Sequence, residues 1–111
     1  MSHILLVDED QDHSTLLANR LRAESLQVVT CPRWDAAVRV LTGTSDPFEL
    51  VVLNLSLSPQ KGLECVRAIC HLRWNPNCFL GPRVICAVDH LLDPHLELEI
   101  EALGARVVYE G

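Results

Sequence analysis

Three apolar runs in this sequence of 111 residues lead into side chains that could do chemistry. Ile4 to Val7 runs into Asp8, Glu9 and Asp10, Leu50 to Leu53 runs into Asn54, and the run that begins at Arg83 finishes at Val88 and Asp89. Oxygen ligands gathered in one place attract a hard divalent cation such as magnesium, which prefers carboxylates and water. The same acids have a simpler use: Asp10 or Asp12 can cap a following helix by accepting bonds from its free backbone N–H groups. Other residue types offer less. His3, His13, His71, His90 and His95 show no metal-ligand spacing and read as surface or packing residues. The cysteines Cys31, Cys65, Cys70, Cys78 and Cys86 are odd in number and include no CxxC pair, which argues against a disulfide framework and against structural zinc. They read as reduced, mostly packed thiols, with Cys78 the most exposed.

Asp8, Glu9 and Asn54 can meet only if the runs before them lie side by side with their ends together. The chain alternates short apolar runs with longer segments of helical spacing, the signature of parallel strands joined by crossover helices. Strands are predicted at His3 to Val7, Leu26 to Thr30, Glu49 to Leu55, Arg83 to Val88 and Arg106 to Tyr109. The third, apolar almost throughout, suits a central strand covered on both faces. Helices are predicted from about Asp12 to Ser25, with Leu17 and Leu21 on the buried face; from Pro32, with Trp34, Ala37, Val38 and Leu41 at i, i+3, i+4 and i+7, to Gly43; from near Gly62 to about Leu72; and after Pro94, with Leu92, Leu96, Ile100 and Leu103 inward, to Gly104. Glu97, Glu99 and Glu101 read as its solvated side. Trp74 falls in an irregular connection and is a candidate exposed contact. In an open parallel sheet, ligands collect beyond the carboxyl ends of the strands, and the polar residues above fall there.

The 49% hydrophobic content supports one core, so a single domain over residues 1–111 is expected. No apolar stretch approaches the roughly 20 residues of a membrane span, and no basic region precedes an apolar segment at the start. A cytoplasmic protein, not attached to a membrane, is the expectation. With a net charge of -6 and scattered basic residues, direct nucleic-acid binding is disfavoured. No GxGxxG or GxxxxGK[ST] loop follows any strand, which leaves a small flavodoxin-like enzyme or nucleotide binder as a weaker alternative.

The segments His3–Asp10 (HILLVDED), Phe48–Pro59 (FELVVLNLSLSP), Gly62-Leu63-Glu64 and Ala102-Leu103-Gly104-Ala105 resemble, in order and spacing, bacterial response-regulator receivers over nearly the whole chain. The resemblance implies a flavodoxin-like, doubly wound five-stranded parallel sheet of order 2-1-3-4-5. It also implies an acidic pair after strand one, here Asp8 and Glu9, that binds magnesium beside a phosphorylated aspartate after strand three. That phosphoacceptor position falls on Asn54, eight residues before Gly62. The hydroxyl residue expected after strand four is Val88. The lysine expected after strand five is replaced by Glu110 or Gly111, and the switch aromatic of strand five by Val107 or Val108. An amide nitrogen whose lone pair is delocalised into its carbonyl is a poor nucleophile, so no covalent phosphoryl intermediate is expected at Asn54. The lost hydroxyl and cation remove partners for phosphoryl charge. Together these departures describe a degenerate receiver that is not an enzyme, with weak magnesium binding at best and no other cofactor. It would act through a protein partner or as a homodimer. Phosphoryl transfer to Asp8 or Asp10 is the alternative within the family. A fifth helix is missing, which should uncover apolar side chains of strands one, three and five and favour self-association through that face or the neighbouring helix-four face.

Overall fold

In the computed structural model, which describes residues 3–43, 48–55, 59–73, 83–88 and 92–109, the elements follow the order β1 (His3–Val7), α1 (Gln11–Ala23), β2 (Gln27–Cys31), α2 (Ala37–Gly43), β3 (Leu50–Asn54), α3 (Pro59–Arg73), β4 (Arg83–Val88), α4 (Pro94–Ala102) and β5 (Arg106–Tyr109). All strand pairs are parallel, as the alternation of strands and helices predicts, and the sheet order is β2-β1-β3-β4-β5, as the family resemblance implied. The chain has a flavodoxin-like, doubly wound fold. Trp74, Cys78, Asp89, His90, Glu110 and Gly111, and the side chains of Cys70 and His71, lie outside the described residues.

Burial explains the order. Ile4 to Val7 are buried throughout and β3 is buried or half-buried throughout, so these strands take the centre, whereas β2 and β5 present exposed positions and form the edges. Alternation along each strand splits the apolar residues into two layers. Leu5, Val7, Val51, Leu53, Val84, Cys86 and Val88 pack with Trp34, Val66, Ile69 and Ile100 in the larger core. On the other face, Ile4, Leu6 and Val28 pack with Ala18 of α1, flanked by Leu17, Leu21, Leu50 and Val52.

The caps set where helices begin and end. Asp10 is the N-cap of α1, its carboxylate accepting from the Asp12 and His13 N–H groups at 3.1 and 3.2 Å. At the other end Ser25 takes a left-handed φ of 65° and Leu26 N–H reaches back to the Leu21 carbonyl at 3.3 Å, so α1 stops earlier and β2 starts later than predicted. Gly104, with φ 92°, closes α4 the same way through the bond from Ala105 N–H to the Ile100 carbonyl. The predicted helix from Pro32 begins only at Ala37, because tight turn bonds run from Ala36 N–H to the Arg33 carbonyl and from Ala37 N–H to the Trp34 carbonyl. Trp34 is nevertheless core.

Helix α3 starts at Pro59, ahead of its predicted start, and Gly62 lies inside it. A Cβ on Gly62 would collide with Cδ2 of the fully buried Leu55, the residue just beyond β3. Glycine there lets the helix lie close against the end of the central strand.

Candidate functional site

Strand alternation brings the site together. Ile4, Leu6 and Asp8 point to one face of β1, and Leu50, Val52 and Asn54 point to the same face of β3. Leu6 pairs with Val52 and Val7 with Leu53 in register, so the next step sets Asp8 level with Asn54 at the carboxyl edge of the sheet. Asp8 still bonds through its backbone N–H to the Cys31 carbonyl at 3.0 Å, and Leu55 N–H to the Ala87 carbonyl at 3.0 Å. Ladder bonds therefore fix the backbone of Asp8 and of Leu55, the residue after Asn54. Asp8 is 1% exposed and Asn54 7%.

A buried carboxylate needs partners, because desolvating an unpaired charge is expensive. Asp8 has one for each oxygen: Asp10 N–H donates to Oδ1 at 2.9 Å, and His13 Nδ1 lies 2.5 Å from Oδ2. An ionised carboxylate only accepts, so the imidazole donates from Nδ1. Asn54 Nδ2 stands 3.3 Å from that same nitrogen. A nitrogen that gives its proton to Asp8 cannot also accept one from the Asn54 amide, so in this tautomer Asn54 Nδ2 packs against the ring nitrogen and does not hydrogen-bond to it. The site is thus a histidine, a buried aspartate and an asparagine in one cluster.

His13, a surface or packing residue by its spacing, is half-buried, and the structure adds what it packs on: the Asp8 carboxylate. The available signal was the stripe Leu17 and Leu21 on the buried face of α1: four residues earlier, one turn toward the N-terminus, is His13. The Asp10 cap starts the helix where this stripe lands its first member over the end of β1.

Glu9 does not join this cluster. It is exposed and lines a cleft of about 710 Å³ together with Trp34, Lys61, Glu64 and Cys65. Trp34 Nε1 is buried there without a hydrogen-bond partner among the described residues. The Cys65 thiol is pushed up from 9.0 to about 12, first by burial and then by Cys31. Cys31, Cys65 and Cys86 are buried.

The other sequence-predicted positions separate by face. Val88 is fully buried in the larger core and has no hydroxyl to offer. Val107 packs toward the α4 side, whereas Val108 is 42% exposed on the opposite face. Tyr109, which the sequence reading passed over, pairs with Val88 in register and donates its hydroxyl to Glu97 Oε2 of α4 at 3.0 Å. Desolvation, then the bond to Glu97 and its charge, raise the tyrosine above its ordinary value. Glu99 also has a partner, Arg67 Nη2 of α3 at 3.0 Å, so two of the three α4 glutamates tie elements together.

A hard divalent cation is the group that the fold implies at this edge, and the residues present do not fit one. Of the two acids proposed to hold it, Asp8 has both oxygens engaged and Glu9 faces the cleft; Asn54 contributes no charge. Among the described residues, no group of three or more histidine, cysteine, aspartate or glutamate side chains is arranged to hold a metal ion. None of the described helices is long and apolar enough to cross a membrane.

Comparison with known proteins places the fold. No protein-family model matches the chain, and no curated protein sequence matches it. Solved structures do. A response-regulator receiver domain from Clostridium thermocellum superposes with a TM-score of 0.81 at 17% identity, covering 99% of this chain and 82% of that one. The receiver domain of the histidine kinase CKI1 from Arabidopsis thaliana, complexed with magnesium and beryllium trifluoride, gives 0.81 at 16% identity, over 97% and 80%. The chemotaxis protein CheY4 of Vibrio cholerae gives 0.76 at 16%, over 99% and 85%. The chain has the fold of response-regulator receiver domains.

Proposed function

We propose that this chain is a receiver-like module that works without phosphorylation, binding a protein partner or a second copy of itself in two-component-type signal transduction or transcriptional regulation of the bacterial kind. The observation that carries this reading is Asn54, buried at the carboxyl end of the central strand, level with Asp8. An amide there supplies no nucleophile, and Val88 supplies no hydroxyl. The module is not an enzyme on this reading and carries no resident cofactor. Asp8 and Asp10 make poor substitute acceptors: Asp8 is enclosed with both oxygens engaged, and Asp10 is committed to capping α1.

The binding surface that fits this role is the sheet face left open beside α1. Helix α1 covers β1, whose Ile4 and Leu6 are buried, so strand one is not uncovered as expected. The open side chains belong to β3, β4 and β5: Val52 and Ile85 are half-buried and Val108 is exposed. Below them Leu50, Val84 and Ile85 line a groove with Glu49, Arg83 and Arg106 around it.

The test is incubation of the intact chain with acetyl phosphate and magnesium, followed by intact-mass measurement. No phosphoryl adduct is expected on the natural sequence. A stable adduct mapped to any residue at the sheet edge would overturn the reading.

A further inference from the structure

We propose that His13 holds the place at Asp8 that a cation would otherwise take, so that the acidic edge of the sheet is closed to magnesium by a residue of the chain itself. Two independent features converge on this. The first is the donor geometry. His13 Nδ1 is 2.5 Å from Asp8 Oδ2, and the remaining oxygen accepts from Asp10 N–H at 2.9 Å. Magnesium binds carboxylate oxygens at about 2.0 to 2.1 Å and demands near-octahedral surroundings. An ion on Oδ2 would meet the Nδ1–H hydrogen at close range, a positive charge against a donor, so the imidazole must leave before the ion can enter.

The second feature is the way the backbone holds His13. It lies in the first turn of α1, where the Asp10 carboxylate accepts its backbone N–H at 3.2 Å. The Asp8 side chain is wholly buried and the His13 side chain 29% exposed, so the imidazole covers the carboxylate from the solvent side. Asn54 stands 3.3 Å from the same ring nitrogen, and its neutral amide leaves the pocket one negative charge poorer than a carboxylate would. The histidine thus meets the charge of Asp8 with a hydrogen bond, and a divalent ion has little left to gain.

The inference is independent of which partner the module binds. It is tested by titrating magnesium chloride into the isotope-labelled chain, with sodium chloride of equal ionic strength as control, and following the backbone amide resonances of Asp10, Asn54 and Leu55. The natural sequence is expected to show no saturable shift at millimolar magnesium. His13→Ala is expected to bind at least roughly tenfold more tightly, the factor a charge-assisted hydrogen bond competes for. Asp8→Asn added to His13→Ala should abolish that binding. Saturable binding by the natural chain as tight as by the variant overturns the proposal, as does a folded His13→Ala that gains nothing. Should His13→Ala not fold, the natural chain still decides: the His13 Nδ1–H resonance is expected to persist unshifted in magnesium, and its loss on titration overturns the proposal.

Discussion

Cys65 shows how burial sets the chemistry of a single side chain here. A thiol reacts as its thiolate, and the low-dielectric surroundings that raise this one to about 12 leave almost none of that form near neutral pH. Iodoacetamide at mildly alkaline pH is expected to spare Cys65 in the native chain and to modify it after unfolding, as peptide mass mapping would read. The linkage has a definite sign. Because the folded value lies above 9.0, the neutral thiol contributes stability that is fully present below that pH. It is lost as pH climbs toward about 12. Asp8 makes the complementary case, a buried acid kept in place by two hydrogen bonds. Leaving such a group without one partner costs more than the bond itself contributes.

At the scale of elements, the approach of α3 to the end of β3 depends on Gly62. Alanine there drives a methyl into the fully buried side chain of Leu55. Gly62→Ala is expected to destabilise the chain by about 1 to 3 kcal/mol despite alanine's better helix propensity, measured as a lower urea midpoint with unchanged slope. Adding Leu55→Ala should recover part of the loss, since the two positions share one space. A directed bond, Tyr109 to Glu97, ties α4 to β5. That link puts an aromatic of strand five beside Val88, where the sequence had offered only Val107 and Val108.

For the whole molecule, the uneven clothing of the sheet matters most. One face carries α2, α3 and α4, and among the described residues the other carries α1 alone, over β1 and β2. Apolar area left open in this way favours association. On the proposed reading, light scattering at working concentration is expected to give twice the chain mass. Val108→Glu is expected to reduce this to one chain mass without changing the circular dichroism, because position 108 is exposed at the edge strand and buries little on folding. The net charge of -6 sets a repulsive background, so added salt should strengthen the natural association.

What the amino-acid sequence determined by itself was the set of features with a short repeat. Strand alternation, helix stripes and the cap chemistry at Asp10 and Gly104 are local features, and from them followed the parallel sheet and its central third strand; the meeting of Asp8 with Asn54 came from the order of motifs shared with receiver domains. Element ends were less legible, because a left-handed Ser25 or a tight turn at Trp34 is chosen by neighbouring packing as well as by residue type. Only the tertiary structure decided which residue of α1 stands over the carboxyl edge. That depends on how the helix docks on β1 and β2, and the docking brings an imidazole from a different element onto the acid of strand one. It likewise sent Glu9 into the cleft beside Trp34 and left β3, β4 and β5 open, because which face a residue next to a strand end takes, and which strands a single helix can shield, are properties of packed layers and not of any stretch of chain.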